Sequence, residues 1–153
     1  MVRILVDGFS LLHSWPELAP GKPRHAAAVR EELINRLTRY HDACGTPITI
    51  VFDGAGAKRE IEEVPTTPQI EIIYSRGGQT ADQLIERVAY RLKVFGEVLV
   101  VTNDAAERDI VTSFGAMASS CENFIRTVEH DLAELDRTVR AYNQKEQTKF
   151  RSC

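Results

Sequence analysis

Four short runs constrain this chain more than any other feature. Arg3 to Val6, Ile48 to Phe52, Ile70 to Tyr74 and Val98 to Val101 are apolar almost throughout, and stretches with helical periodicity separate them. A strand with one wet face alternates polar and apolar residues, and that alternation disappears when both faces are covered. The pattern therefore predicts an α/β chain, with a mostly parallel sheet packed between two layers of helices. The order reads β-α-β-β-α-β-α, then a small strand and a last helix, without internal repeats.

The helical stretches carry their own start and stop signals. From about His25 to Cys44 the residues Val29, Leu33, Leu37 and Tyr40 share one face, and Gly45 supplies a stop. Thr80 with Gln83 forms a capping box, followed by the stripe Ala81, Leu84, Ile85, Val88, Ala89 and Leu92 and by Gly96. Asp104 with Glu107 repeats the capping logic for a short helix to about Phe114. Ser119 or Ser120 caps the last helix, along which Phe124, Val128, Leu132, Leu135 and Val139 recur. Asp7-Gly8 is expected to open a loop carrying Phe9, Ser10, His13 and Trp15, and Pro16, Pro20 and Pro23 keep Leu18 to Pro23 out of a helix. Residues 55 to 68, charged and holding Pro65 and Pro68, are expected to be a surface connection. The boundaries expected are one domain over residues 1–142 and a polar tail over 143–153 that frays.

Composition narrows the function. A chain of 153 residues can bury a core without disulfides or a structural metal. Nineteen Lys+Arg against 22 Asp+Glu give a formal charge of −3, which argues against a broad electrostatic coat on nucleic acid but leaves room for a local basic groove. No apolar run approaches the roughly 20 residues of a membrane span, and Met1 leads directly into a strand pattern, so a cytoplasmic location without membrane contact is expected. Cys44, Cys121 and Cys153 form no C-x-x-C and leave an odd thiol, and His13, His25, His41 and His130 lack metal-ligand spacing. A phosphate-loop lysine, a G-x-S-x-G elbow and a dinucleotide glycine fingerprint are all missing.

The chemistry-bearing residues are acids. Asp7 follows the first strand, Asp53 the second and Asp104 the fourth, while Asp82 lies in the first turn of the Thr80 helix. Taken singly, Asp7 and Asp53 read as Asp-Gly turn residues, Asp104 as a helix cap and Asp82 as a dipole partner. A parallel sheet would bring all four to one edge, where ligands bind in such folds. Clustered carboxylates repel unless a cation neutralises them, and an oxygen-only set points to Mg²⁺ or Mn²⁺. Such an ion suits phosphoryl chemistry. Lys22, Arg24, Lys58, Arg59, Arg76 and Arg108 flank that edge and read either as phosphate contacts or as solvated surface charge. Ser10 and His13 lie beside it, and Phe9 and Trp15 read mainly as packing residues.

The segments ILVDGFSLLHSWPEL (Ile4 to Leu18), VFDG (Val51 to Gly54), TADQLIE (Thr80 to Glu86), VVTNDAAE (Val100 to Glu107) and FGAMASS (Phe114 to Ser120) resemble, in order and spacing, the YacP-like family of NYN domains. The resemblance covers essentially the whole chain. It implies a PIN-like three-layer α/β/α sandwich and an endoribonuclease that uses Mg²⁺ or Mn²⁺ to cut single-stranded RNA. Asp7, Asp82 and Asp104 match the family's catalytic and metal-binding acids, and Asp53 and Asp109 are further candidates. Ser10, His13, Lys58, Arg59, Arg76 and Arg108 are the candidate RNA contacts, and mRNA presented by a ribosome is a candidate substrate.

Two positions depart from the family pattern: Ser10 stands where an asparagine is usual, and Ala118 where an arginine is common. They motivate a second reading, a catalytically silent RNA- or ribosome-binding module of the same fold. A third, phosphotransfer through Asp7 as nucleophile, lacks a D-x-D motif and a lysine partner.

Overall fold

A computed structural model describes residues 2–23, 26–54 and 70–151. Its sheet has five strands in the order β3-β2-β1-β4-β5: β1 (Val2–Asp7), β2 (Ile48–Phe52), β3 (Ile70–Tyr74), β4 (Glu97–Val101) and β5 (Met117–Ser119). Every pairing is parallel, as the loss of alternation requires. Both faces are covered. Helices α1 (Gly8–Ser14), α2 (Ala27–Cys44) and α5 (Cys121–Arg151) pack Leu11, Leu33, Leu37, Phe124 and Val128 onto Ile4, Val6, Ile48 and Ile50. Helices α3 (Ala81–Lys93) and α4 (Ala105–Ser113) pack Ile85, Ala89 and Val111 onto Leu5, Val51, Val98 and Val100. Ile4 and Val6 thus face one layer and Leu5 the other, the period of two that a strand imposes. The result is the three-layer α/β/α sandwich expected from sequence.

Local signals place the helices. The Thr80 capping box is complete: Thr80 Oγ1 accepts from Gln83 N at 3.1 Å, and Gln83 Oε1 accepts from Thr80 N at 3.1 Å. Gly45 ends α2 in the left-handed region at φ 71°, where a side chain would be strained. Ser120, not Ser119, caps α5, its hydroxyl accepting from Asn123 N at 3.2 Å.

Two expectations are corrected. Gly8–Ser14 is a helix, not a loop, with Asp7 as its cap and Leu11 and Leu12 buried beneath it. Seven residues are too few to show periodicity in sequence. Gly8 begins this helix because a Cβ there would lie 2.5 Å from Cε1 of Phe52, so only glycine lets α1 approach β2. Second, α5 does not fray at Asn143 but continues to Arg151. Its stripe is buried only as far as Val128, with Leu132 partly covered, and Leu135 and Val139 are 43% and 47% exposed. The helix expected from about His25 runs over Ala27–Cys44, and His25 itself lies outside the described residues. The connection expected over residues 55–68 also lies outside them, except for its surroundings at Gly54 and Ile70. Among the described residues no helix is long and apolar enough to cross a membrane.

Candidate active site

The chain leaves β1 towards β2 and β3 on one side, then crosses to β4 and β5 on the other. The carboxyl ends of β1 and β4 therefore flank the point where strand order reverses, the usual ligand crevice of an open parallel sheet. Val6 pairs with Val101, so Asp7 and Thr102 come level at the rim.

Asp7 is 7% exposed and held on every side. Its Oδ1 accepts from Ser10 N at 3.3 Å. Its Oδ2 accepts from the Ser10 hydroxyl at 2.9 Å and the Thr102 hydroxyl at 3.3 Å. The Asp-Gly turn reading of Asp7 thus gives way to a helix cap whose orientation is fixed from α1 and from the end of β4. Asp104 caps α4, its Oδ1 accepting from Ala106 N at 3.0 Å and Glu107 N at 3.3 Å, while its Oδ2 has no partner among the described residues. Asp82, half-buried in the first turn of α3, makes no hydrogen bond among the described residues. Asp53 accepts from the buried Ser75 hydroxyl at 3.0 Å, and that hydroxyl also accepts from Gly54 N at 3.0 Å.

These acids share one electrostatic environment. The Asp82 carboxyl is raised above its ordinary value by burial first, then by the charges of Asp7, Asp104, Glu86 and Asp53. Two acids that sequence reading passed over belong to the same set. Glu107, 2% exposed, is pushed up to about 8 by burial, by a hydrogen bond with Glu86 and by the charges of Asp82, Glu86 and Asp104. Its Oε1 is buried without a partner among the described residues. The only sequence signal for Glu107 was its position at N3 of α4, which reads as half a capping box, but its side chain turns into the protein instead. Glu86 lies one turn after Asp82 on α3, a spacing that places both on one face.

Other expected site residues fall differently. Asp109 is exposed on α4 and is not among the charges that act on Asp82 or Glu107. Arg108 donates from Nη1 to the Thr102 carbonyl at 2.8 Å and so braces the end of β4. Arg76 and Lys22 are exposed in turns, and His13 is exposed in the last turn of α1. Phe9 packs edge-on against Phe52, and Trp15 is fully buried, its Nε1 donating to Glu129 at 3.1 Å, so both are packing residues. Arg24, Lys58 and Arg59 lie outside the described residues. Cys44 and Cys121 are free thiols, and Cys121 is buried.

The residues suit a hard divalent cation in donor chemistry. The donors are carboxylate oxygens, and their mutual repulsion is what a dication relieves. Among the described residues no group of three or more His, Cys, Asp or Glu side chains is arranged closely enough to hold a metal ion.

The sheet is thus open and parallel, with an acidic rim at its reversal point, where ligands bind in such folds. The sequence profile of the YacP-like NYN domain matches residues 4–152, and the chain belongs to that family. It is 30% identical over 138 residues to the uncharacterized protein YacP of Bacillus subtilis (strain 168), covering 90% of this chain and 81% of that protein. Two crystal structures of Rae1 (YacP) from Bacillus subtilis superimpose with a TM-score of 0.77 and 28% identity. One, of a single-substitution variant, covers 94% of this chain and 85% of its own; the other covers 97% and 85%.

Proposed function

We propose that this protein is a divalent-metal-dependent endoribonuclease that hydrolyses phosphodiester bonds of single-stranded RNA at Asp7, Asp82 and Asp104. The observation that carries the reading is the meeting of these three acids at the reversal point of the sheet, with Asp53 beside them. Family membership supports a nuclease, and the resemblance of the motifs supports RNA as its substrate. Bound Mg²⁺ or Mn²⁺ would supply charge to a phosphate oxygen and acidify water for in-line attack.

The chain's own residues prepare that chemistry. Ser10 and Thr102 aim the Asp7 carboxylate, and the α4 cap fixes Asp104 while leaving one of its oxygens outward. Asp82 keeps both oxygens available. Glu107, largely protonated at neutral pH, removes one negative charge from the cluster. The net charge of −3 keeps general affinity for RNA low, which favours presentation of mRNA by a partner such as the ribosome.

The silent-module reading rests on Ser10 and Ala118. The Ser10 hydroxyl still donates to Asp7 at 2.9 Å, which favours the working enzyme. Cleavage of a labelled unstructured RNA with Mn²⁺, Mg²⁺ or EDTA tests the proposal. Metal-dependent products should fall at least about 100-fold in Asp7→Asn, Asp82→Asn and Asp104→Asn. Asparagine retains the caps at Asp7 and Asp104, so the fold should survive. Undiminished cleavage in Asp7→Asn would refute the assignment, and RNA binding without turnover in the wild type would favour the silent module.

A further inference from the structure

Beside the acids, α3 and α4 flank an open groove of about 560 Å³, within the usual size of a ligand site. Gln83, Glu86, Arg87, Tyr90 and Arg91 line it from α3, and Phe114, just past the end of α4, closes it. On α3 these residues follow at i, i+3, i+4, i+7 and i+8, a single helical face. Glu86 belongs both to this lining and to the acidic cluster, so the groove opens from the site itself. From Gln83 to Arg91 it descends about 12 Å along α3, away from the carboxyl edge of the sheet.

We infer that this groove is a track for the nucleotides flanking the scissile phosphate, in which Arg87 and Arg91 hold phosphates and Tyr90 stacks on a base. The inference rests on the nuclease reading for which strand enters, and on the groove alone for how it is held.

Three observations carry it. Arg87 and Arg91 are exposed and make no ion pair or hydrogen bond among the described residues, although Lys93 on the same helix is paired with Glu97. Two unpaired guanidiniums one turn apart, in a protein of net charge −3, offer charge and fork geometry to consecutive phosphates. Tyr90 is 65% exposed yet oriented by an edge-to-face contact with Phe114, ring centroids 5.5 Å apart. A large exposed aromatic held in this way, beside cations, is the element from which single-strand stacking platforms are built. Finally, among the described residues the only anionic member of the lining is Glu86, one turn after Asp82 on α3. The groove therefore changes from negative to positive along its length. A polyanion would be drawn along it while its reacting phosphate stays at the acidic end.

The test uses the full chain in EDTA, where binding is read without cleavage, and a fluorescent single-stranded RNA of about a dozen nucleotides. Arg87→Ala/Arg91→Ala should bind at least about tenfold more weakly and show a salt slope shallower by about 1.4, with thermal unfolding unchanged. Arg87→Lys/Arg91→Lys should restore part of the affinity, since charge remains and the fork does not. Tyr90→Leu should lose about tenfold on RNA and nothing on an abasic strand of equal length. Unchanged affinity and slope in the arginine double variant would overturn the track, as would a wild type that binds no RNA. An equal loss of Tyr90→Leu on both strands would overturn the base contact. If the groove variants lose binding while the wild type cuts nothing with Mn²⁺, the track stands and the nuclease reading alone falls.

Discussion

The hydroxyl of Thr102 donates to Oδ2 of Asp7 at 3.3 Å while accepting the backbone N–H of Asp104 at 3.2 Å. A hydroxyl has one proton, so accepting from Asp104 leaves that proton for Asp7. One fully buried side chain thereby ties the end of β1 to the turn that opens α4, and fixes two of the three principal acids relative to one another. Thr102→Val keeps the shape and strands the Asp104 N–H. Chemical denaturation should show a loss of about 1–3 kcal/mol, with metal-dependent cleavage down at least tenfold. Thr102→Ser should stay within about 1 kcal/mol of the wild type. Equal effects of the two substitutions would remove the hydroxyl from the account.

Glu107 makes stability depend on pH in an unusual sense. Its folded value of about 8 lies above the ordinary carboxyl value of 4.5, so the folded state holds a proton that the unfolded chain releases. The stability this group contributes is complete below 4.5 and is lost as pH rises through 8. Between those limits unfolding free energy should fall with a slope approaching 1.4 kcal/mol per pH unit from this group. Denaturation series in EDTA should show that slope flattened in Glu107→Gln, which keeps the neutral shape at every pH. A slope unchanged by the substitution would place the linkage elsewhere.

Asp82 is charged against the field of its neighbours, so neutralising it should relieve the metal-free protein. In EDTA at neutral pH, Asp82→Asn should melt higher than the wild type. Added Mn²⁺ should then raise the wild-type Tm more than that of the variant. The reverse order in Mn²⁺ would mean that Asp82 does not hold the ion.

Gly8 is a matter of space. Its would-be Cβ meets the Phe52 ring at 2.5 and 2.6 Å and the Val51 carbonyl at 3.0 Å. Gly8→Ala should cost about 1–3 kcal/mol in denaturation, through displacement of α1 or of Phe52. Because α1 carries Ser10, the same substitution should also lower cleavage.

The α5 stripe divides into a buried and a bare part. Phe124→Ala should cost about 3–5 kcal/mol. Leu135→Lys, at the same helical face but beyond the body of the protein, should change stability by no more than about 0.5 kcal/mol.

Sequence alone determined the layers. Apolar runs without alternation required a sheet covered on both sides, and Thr80, Gln83, Gly45 and Asp104 marked helix ends correctly, because caps act within one turn. It also brought Asp7, Asp53, Asp82 and Asp104 to one edge, since strand direction fixes where each strand ends. Tertiary structure decided the rest. Thr102 and Ser75 carry no motif; they matter because register sets them level with Asp7 and Asp53. Glu86 and Glu107 joined the site, and Asp109 did not, because rotation about α3 and α4 is set by which face buries Ile85 and Val111. Arg87, Tyr90 and Arg91 carry no motif that singles them out in the sequence. Only the packing of α4 against α3 places Phe114 beside Tyr90 and makes that face the wall of a groove. Periodicity and capping are local and can be read along the chain, whereas the partner across a sheet or between two helices depends on where distant segments meet.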